Sequence, residues 1–257
     1  MEAKRLVPDL DAIQKKIVAK QFDDALTDLA RVLETDPRNP DALYMGAVCS
    51  RYKRDFDVAL EFVARLKAVA PENGRAHQEE GHTYRDMARP DEALTAYARA
   101  CRFNPALEAS WRGQVDILAR QGRAEQAAQA RAQLEALKSL PRPLVAVLDL
   151  IAQGKLLKAE DICRQFLKKV PHHVEGMRLL ADIGMRLGVL DDAEFLLESA
   201  LKFQPDNVRV RIDYLQALRK RQKFAAALEE ARRLLEKSPR NPQFQSRFAT
   251  VSMQTGD

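Results

Sequence analysis

Small apolar residues return along the chain at a fixed interval. An alanine, preceded in the clearest copies by acidic residues, stands at Ala25, Ala59, Ala93, Ala127, Ala159, Ala193 and Ala227, in steps of 34 residues broken once by a step of 32. Twelve residues after the alanine comes a proline, at Pro37, Pro71, Pro105, Pro171, Pro205 and Pro239; the fourth copy has Ser139 there, with Pro141 just beyond. Two registers that hold together along the chain define a repeat. Each copy predicts a pair of helices. The first runs for about 13 residues and breaks near Gly122, Gly154, Gly188 or Gly256, all at one repeat position, where glycine accepts the positive φ that ends a helix. The second opens on acids, as in Phe22-Asp23-Asp24-Ala25, Phe56-Asp57-Val58-Ala59 and Leu190-Asp191-Asp192-Ala193. Acids in a first turn meet unpaired amides and the positive end of the helix dipole. The alanine marks a close crossing of helices, and the proline stops the second helix before the next copy begins.

These residues resemble the tetratricopeptide repeat, and the likeness covers nearly the whole chain. Gly81, Tyr84, Ala93, Ala100 and Pro105, then Trp111, Gly122 and Ala127, carry it most closely; the second copy departs, with Ala47 and Ser50 where the family places Gly and Tyr. The resemblance implies an all-α fold, a right-handed α-solenoid of helix-turn-helix repeats whose first helices line a concave groove. It also implies the family's usual work, which is to hold a peptide or a protein surface. The expected organisation is a single solenoid over 1–257, with repeats one to four in 6–139 and repeats five to seven in 140–241. The remainder, 242–257, is either a capping helix with a polar outer face or an interrupted eighth repeat.

Counting each copy so that its alanine is position 20, the family places positions 2, 5, 9, 12 and 13 on the concave face. Over copies two to seven these positions hold Arg51, Arg75, Arg85, Arg112, Arg120, Arg178, Arg186, Arg209, Arg219 and Lys220, against the acids Asp41, Asp86, Asp116, Glu175 and Asp182. The whole chain has 42 Lys and Arg to 37 Asp and Glu, so its basic excess is concentrated on this face. The planar guanidinium offers paired donors to carboxylates and phosphates. The expected partner is therefore an acidic protein or peptide segment, with Tyr44, Tyr52 and His82 adding contacts at one end. The competing reading is a solvated helical face whose interleaved acids neutralise part of the charge. The terminal-carboxylate clamp of chaperone-binding members needs Lys and Asn at positions 5 and 9. Here those positions read Leu10 and Gln14, Tyr44 and Val48, Gln78 and His82, or Arg112 and Asp116, and none fits.

The short step falls where Pro141 and Pro143 open the fifth copy. Its first helix, from Leu144 to Ile151, is apolar on nearly every face. Such a helix is normally buried; the alternative is a partner-binding or self-association patch at Leu144, Leu148 and Ile151. The order of units, with Trp111-Arg112, Gly154-Lys155, Arg178-Leu179-Leu180-Ala181 and Asp191-Asp192-Ala193-Glu194, is also similar to the N-terminal arm of bacterial tetratricopeptide-repeat sulfotransferases. That likeness implies a recognition arm whose catalytic domain lies elsewhere.

Candidate chemistry is sparse. No phosphate-cradling Gly-rich loop, HExxH or CxxC arrangement occurs, and neither a metal nor a cofactor is expected. Cys49, Cys101 and Cys163 read as reduced, buried thiols, and His172-His173 as a solvated loop pair. No catalytic residue is assigned. A net charge of +5 does not by itself imply nucleic acid, no apolar run is long enough to span a bilayer, and the start carries no signal-type segment, so a cytoplasmic, non-enzymatic chain is expected.

Overall fold

The computed structural model describes residues 8–255. They form fifteen helices and, among the described residues, no strand. The chain divides into two compact units, Met1–Leu140 and Pro141–Asp257. The first holds α1 (Leu10–Val18), α2 (Phe22–Thr35), α3 (Pro40–Tyr52), α4 (Phe56–Val69), α5 (Gly74–Asp86), α6 (Pro90–Phe103), α7 (Glu108–Arg120) and α8 (Ala124–Ser139). The second holds α9 (Arg142–Ala152), α10 (Leu156–Lys169), α11 (Val174–Leu187), α12 (Leu190–Phe203), α13 (Val208–Lys220), α14 (Phe224–Lys237) and α15 (Pro242–Thr255). Odd-numbered helices are the first of each pair and even-numbered helices the second.

Each pair is joined by the same turn. The residue five before the repeat alanine has a positive φ in all seven copies: Lys20, Arg54, Ala88, Gly122, Gly154, Gly188 and Gln222. The following amide bonds back across the turn each time, as in Asp55 N to Ser50 O at 2.9 Å and Val189 N to Gly184 O at 2.8 Å. Such bonds satisfy carbonyls that a helix end leaves unpaired. Glycine marks only three of these turns; the fourth glycine expected at this position, Gly256, lies outside the described residues.

The first helices α3, α5, α13 and α15 are opened by a device that the alanine and proline registers do not mark. Two residues after the repeat proline stands an asparagine whose Oδ1 accepts a backbone amide. Asn39 takes Ala42 N, Asn73 takes Arg75 N and Ala76 N, Asn207 takes Val210 N, and Asn241 takes Gln243 N. In the sixth copy His173 replaces it, with Nδ1 accepting from Gly176 N at 3.2 Å. His173 is therefore a helix cap, not merely a solvated loop residue.

The repeat alanines are buried, which lets paired helices cross closely. In the first unit Ile13, Ala25, Leu29, Leu43, Leu66 and Ala76 join α1 through α5 in one core. In the second unit Leu144, Val147 and Ile151 of α9 pack with Ala159 and Cys163 of α10 and with Leu179 and Ile183 of α11. The apolar helix of the fifth copy is thus buried within its own unit along Leu144 and Ile151, and Leu148 is half-buried against the same cluster. The last helix buries Phe244 and Val251, while Gln243, Gln245, Ser246 and Thr250 stay exposed.

Candidate functional site

In the first unit the basic positions meet an internal network. Arg51, near the end of α3, is only 9% exposed, and its Nε donates to Glu79 of α5, which is 3% exposed. Its Nη1 donates to Asp86 Oδ2 at 3.0 Å, and Arg85 takes Oδ1 of the same carboxylate at 2.8 Å. Burial works against the Arg51 charge, but Glu79 and Asp86 outweigh it and hold the guanidinium firmly protonated. Burial also raises the Glu79 carboxyl, and Arg51 opposes that rise. Tyr52 lies parallel to Phe22 with centroids 5.3 Å apart, and Arg51 sits 4.4 Å from the Tyr52 centroid. Tyr52 is 57% exposed, whereas Tyr44 is half-buried and burial raises its hydroxyl. His82 bonds to Tyr97 rather than standing open. Arg112 is exposed and pairs with Glu108 one turn earlier; Arg75 is half-buried. Arg120 is exposed and makes no ion pair among the described residues.

The second unit repeats this arrangement. Arg178 of α11 grips Glu175 with two bonds, at 2.9 and 2.7 Å, and reaches Asp213 of α13 at 2.7 Å. Burial again opposes the charge, and the two carboxylates outweigh it. Arg186 is exposed and bonds Asp182 one turn away. Lys220 donates to Met185 O at 3.1 Å, and Arg219 to Gln254 at 2.9 Å. Arg209 is exposed and, like Arg120, makes no ion pair among the described residues.

Several of these links join residues 35 apart, one copy to the next: Arg51 to Asp86, Arg178 to Asp213, Arg219 to Gln254, and Lys220 to Met185. Two predicted binding arginines, Arg51 and Arg178, are therefore joints between neighbouring first helices. Their charge is matched by carboxylates of the chain itself. A second ladder runs at the helix turns, where Lys53 meets Asp23, Gln121 bonds Asp91 at 2.8 Å, and Arg221 meets both Asp191 and Glu194.

The three cysteines are spent on packing. Cys49, Cys101 and Cys163 are buried, and burial pushes their thiols up to about 11, 12 and 12, so they stay protonated at neutral pH. Among the described residues no group of His, Cys, Asp and Glu is arranged to hold a metal ion.

The comparisons with known proteins bear on the family. One family model described as Tetratricopeptide repeat matches residues 16–74 and 79–139, and a second of the same description matches 150–218, together most of the chain. The chain belongs to the tetratricopeptide repeat family. No curated protein matches the sequence. Solved structures similar to this tetratricopeptide chain include that of Naa15/Naa10 bound to HypK-THB, at TM-score 0.47 and 19% identity over 94% of this chain and 38% of that one. The chain thus spans well under half the length of that relative. A tetratricopeptide repeat protein from Parabacteroides merdae gives 0.45 and 13% over 95% and 97%, and a thermophilic TPR protein of Thermus thermophilus gives 0.44 and 21% over 81% and 96%. The likeness to sulfotransferase arms gains no support from these comparisons, whose family models describe the repeat alone. Among the described residues no helix is long and apolar enough to cross a membrane.

Proposed function

We propose that this tetratricopeptide chain is a non-catalytic scaffold that holds an acidic segment of a partner protein against the first helices of its repeats. The observation that carries the reading is the state of the exposed cations once internal pairing is subtracted. Among the described residues Arg120 in the first unit and Arg209 in the second are exposed without an ion pair, and Arg85, Arg112 and Arg186 stay exposed with donors to spare beyond a single carboxylate. Guanidinium groups in that state recognise carboxylates at little structural cost, because no existing bond has to break. Arg51 and Arg178 contribute rigidity instead: they fix the spacing of neighbouring first helices on which the exposed cations stand.

The test is a set of acid-rich and matched neutral peptides titrated into the full chain, beside an Arg120→Glu/Arg209→Glu variant. The reading expects the acid-rich peptides to bind more tightly, more weakly as salt is added, and about tenfold more weakly to the double variant. Equal binding of acid-rich and neutral peptides would overturn it.

A further inference from the structure

Within the first unit, at the α3–α4 turn and the end of α5, lies a cavity of about 490 Å³ lined by Arg51, Tyr52, Arg54, Phe56, Arg85 and Asp86. Three guanidiniums and two aromatic rings surround one carboxylate. Both oxygens of that carboxylate are occupied, Oδ2 by Arg51 and Oδ1 by Arg85. Asp86 therefore orients two of the cations and, among the described residues, makes no ion pair with the third. Arg54 has no ion pair among the described residues; its guanidinium sits 5.6 Å from the centroid of Phe56, at an exposed turn position. The Tyr52 ring, stacked on Phe22 and with Arg51 4.4 Å from its centroid, remains 57% exposed beside it. Among the described residues Lys53, next in sequence, is held away by Asp23.

We propose that this notch is a binding site for an anionic side chain of a partner peptide, with the charge taken by Arg54 and Arg85 and the methylene stem lying along Tyr52 and Phe56. The assignment rests on the scaffold reading but names a site of its own, since Arg54 and Phe56 stand outside the concave-face positions. Charge complementarity selects the occupant. The lining has a cationic surplus, the one acid is already doubly bonded, and the rings give an aliphatic stem a surface that bulk water does not. A basic or purely apolar segment would leave Arg54 and the outward side of Arg85 unmatched.

Arg54 allows an unusually clean test. Its φ is +66°, a region in which glycine is at home, and the same turn position is glycine at 122, 154 and 188. Arg54→Gly thus removes the guanidinium while favouring the native backbone, so a binding loss cannot be blamed on unfolding. The probe is a fluorescein-labelled decaglutamate peptide, with decaglutamine as control, followed by anisotropy on the full chain at low ionic strength. The expected result is binding of decaglutamate only, weakened about tenfold by Arg54→Gly and further by Arg54→Gly/Arg85→Gln, with a melting temperature for Arg54→Gly no lower than that of the parent. Unchanged affinity in Arg54→Gly would overturn the notch. If in addition Arg120→Glu/Arg209→Glu abolishes binding, the scaffold reading stands without it. No binding of decaglutamate by the parent chain would sink both, and equal binding of decaglutamine would show that charge is not what the notch reads.

Discussion

The Tyr97 hydroxyl lies 2.7 Å from Nδ1 of His82 and joins α6 to α5 inside the first unit. The Tyr97 ring is fully buried and its hydroxyl is pushed up to about 12 by burial, so it stays protonated and donates to the imidazole. His82 must then be the neutral acceptor. Burial, helped by Arg51 and Arg85 and opposed by Asp86, lowers it from 6.5 to about 4. In the unfolded chain the same imidazole takes its proton near 6.5, so between these values the unfolded state binds more protons. Stability of the first unit is accordingly expected to be full above about pH 6.5 and to fall as pH drops toward 4, by on the order of 2–3 kcal/mol. Urea titrations at pH 7 and pH 4.5 check this against His82→Gln, which cannot charge; an equal loss in both would remove His82 as the cause.

The same ring sets a steric prediction. Tyr97 fills the space between α5 and α7, and a Cβ at Gly81 would fall 2.6 Å from its ring carbons, while one at Gly113 would fall 2.5 Å away. Gly81→Ala and Gly113→Ala are each expected to cost about 1–3 kcal/mol by overpacking. Tyr97→Leu in the Gly81→Ala background should recover part of that loss, whereas two simply additive losses in urea denaturation would show that the ring is not the obstacle.

Arg51 and Glu79 form a buried pair whose members differ sharply in what their removal leaves behind. Arg51→Ala strands a carboxylate that is 3% exposed, with an expected loss of about 3–5 kcal/mol. Replacing both, as Arg51→Met/Glu79→Leu, removes the stranded charge and should be much closer to the parent. A double variant as unstable as Arg51→Ala would mean that the pair contributes more than mutual neutralisation.

How much of this was open to a reader of the sequence depends on how far a residue's partner lies along the chain. The helix pairs and buried alanines are legible because period and local chemistry suffice: acids beside an alanine, a proline twelve residues on. The asparagine caps were equally legible in principle, since Asn39, Asn73, Asn207 and Asn241 stand at one register, but the proline beside them is the louder signal. Arg51 and Arg178 were not. A guanidinium at a groove position reads the same whether free or bonded 35 residues away, and only the spacing of neighbouring helices decides which. His173 was hidden for a related reason, because a histidine beside a histidine suggests ligands or solvent before it suggests a cap.

That cap can be tested directly. His173 Nδ1 accepts the Gly176 amide in the place that asparagine occupies in other copies. His173→Ala should therefore cost about 1 kcal/mol, and His173→Asn should be neutral or slightly stabilising. The order of midpoints in urea is expected to be Asn at or above His, and His above Ala; Ala equal to His would show that the bond contributes nothing.

The turn shared by all seven copies leads to the most general prediction. Ala88 holds a φ of +58° at the position where Gly122 holds +69°. A left-handed alanine costs about 1–2 kcal/mol, which glycine avoids, though glycine also loses more backbone entropy on folding. A Cβ at Gly122 would meet nothing within 4 Å, so a substitution there is felt through the backbone alone. Ala88→Gly is thus expected to stabilise the first unit by about 0.5–1 kcal/mol, and Gly122→Ala to destabilise it by a similar amount. Thermal melts of the two single variants and of the double should show opposite shifts that nearly cancel, since the turns lie in successive copies and neither Ala88 nor Gly122 takes part in the Gln121–Asp91 bond that links them. Shifts of the same sign would mean that the tertiary fold, rather than the residue's own φ preference, determines the strain at this position.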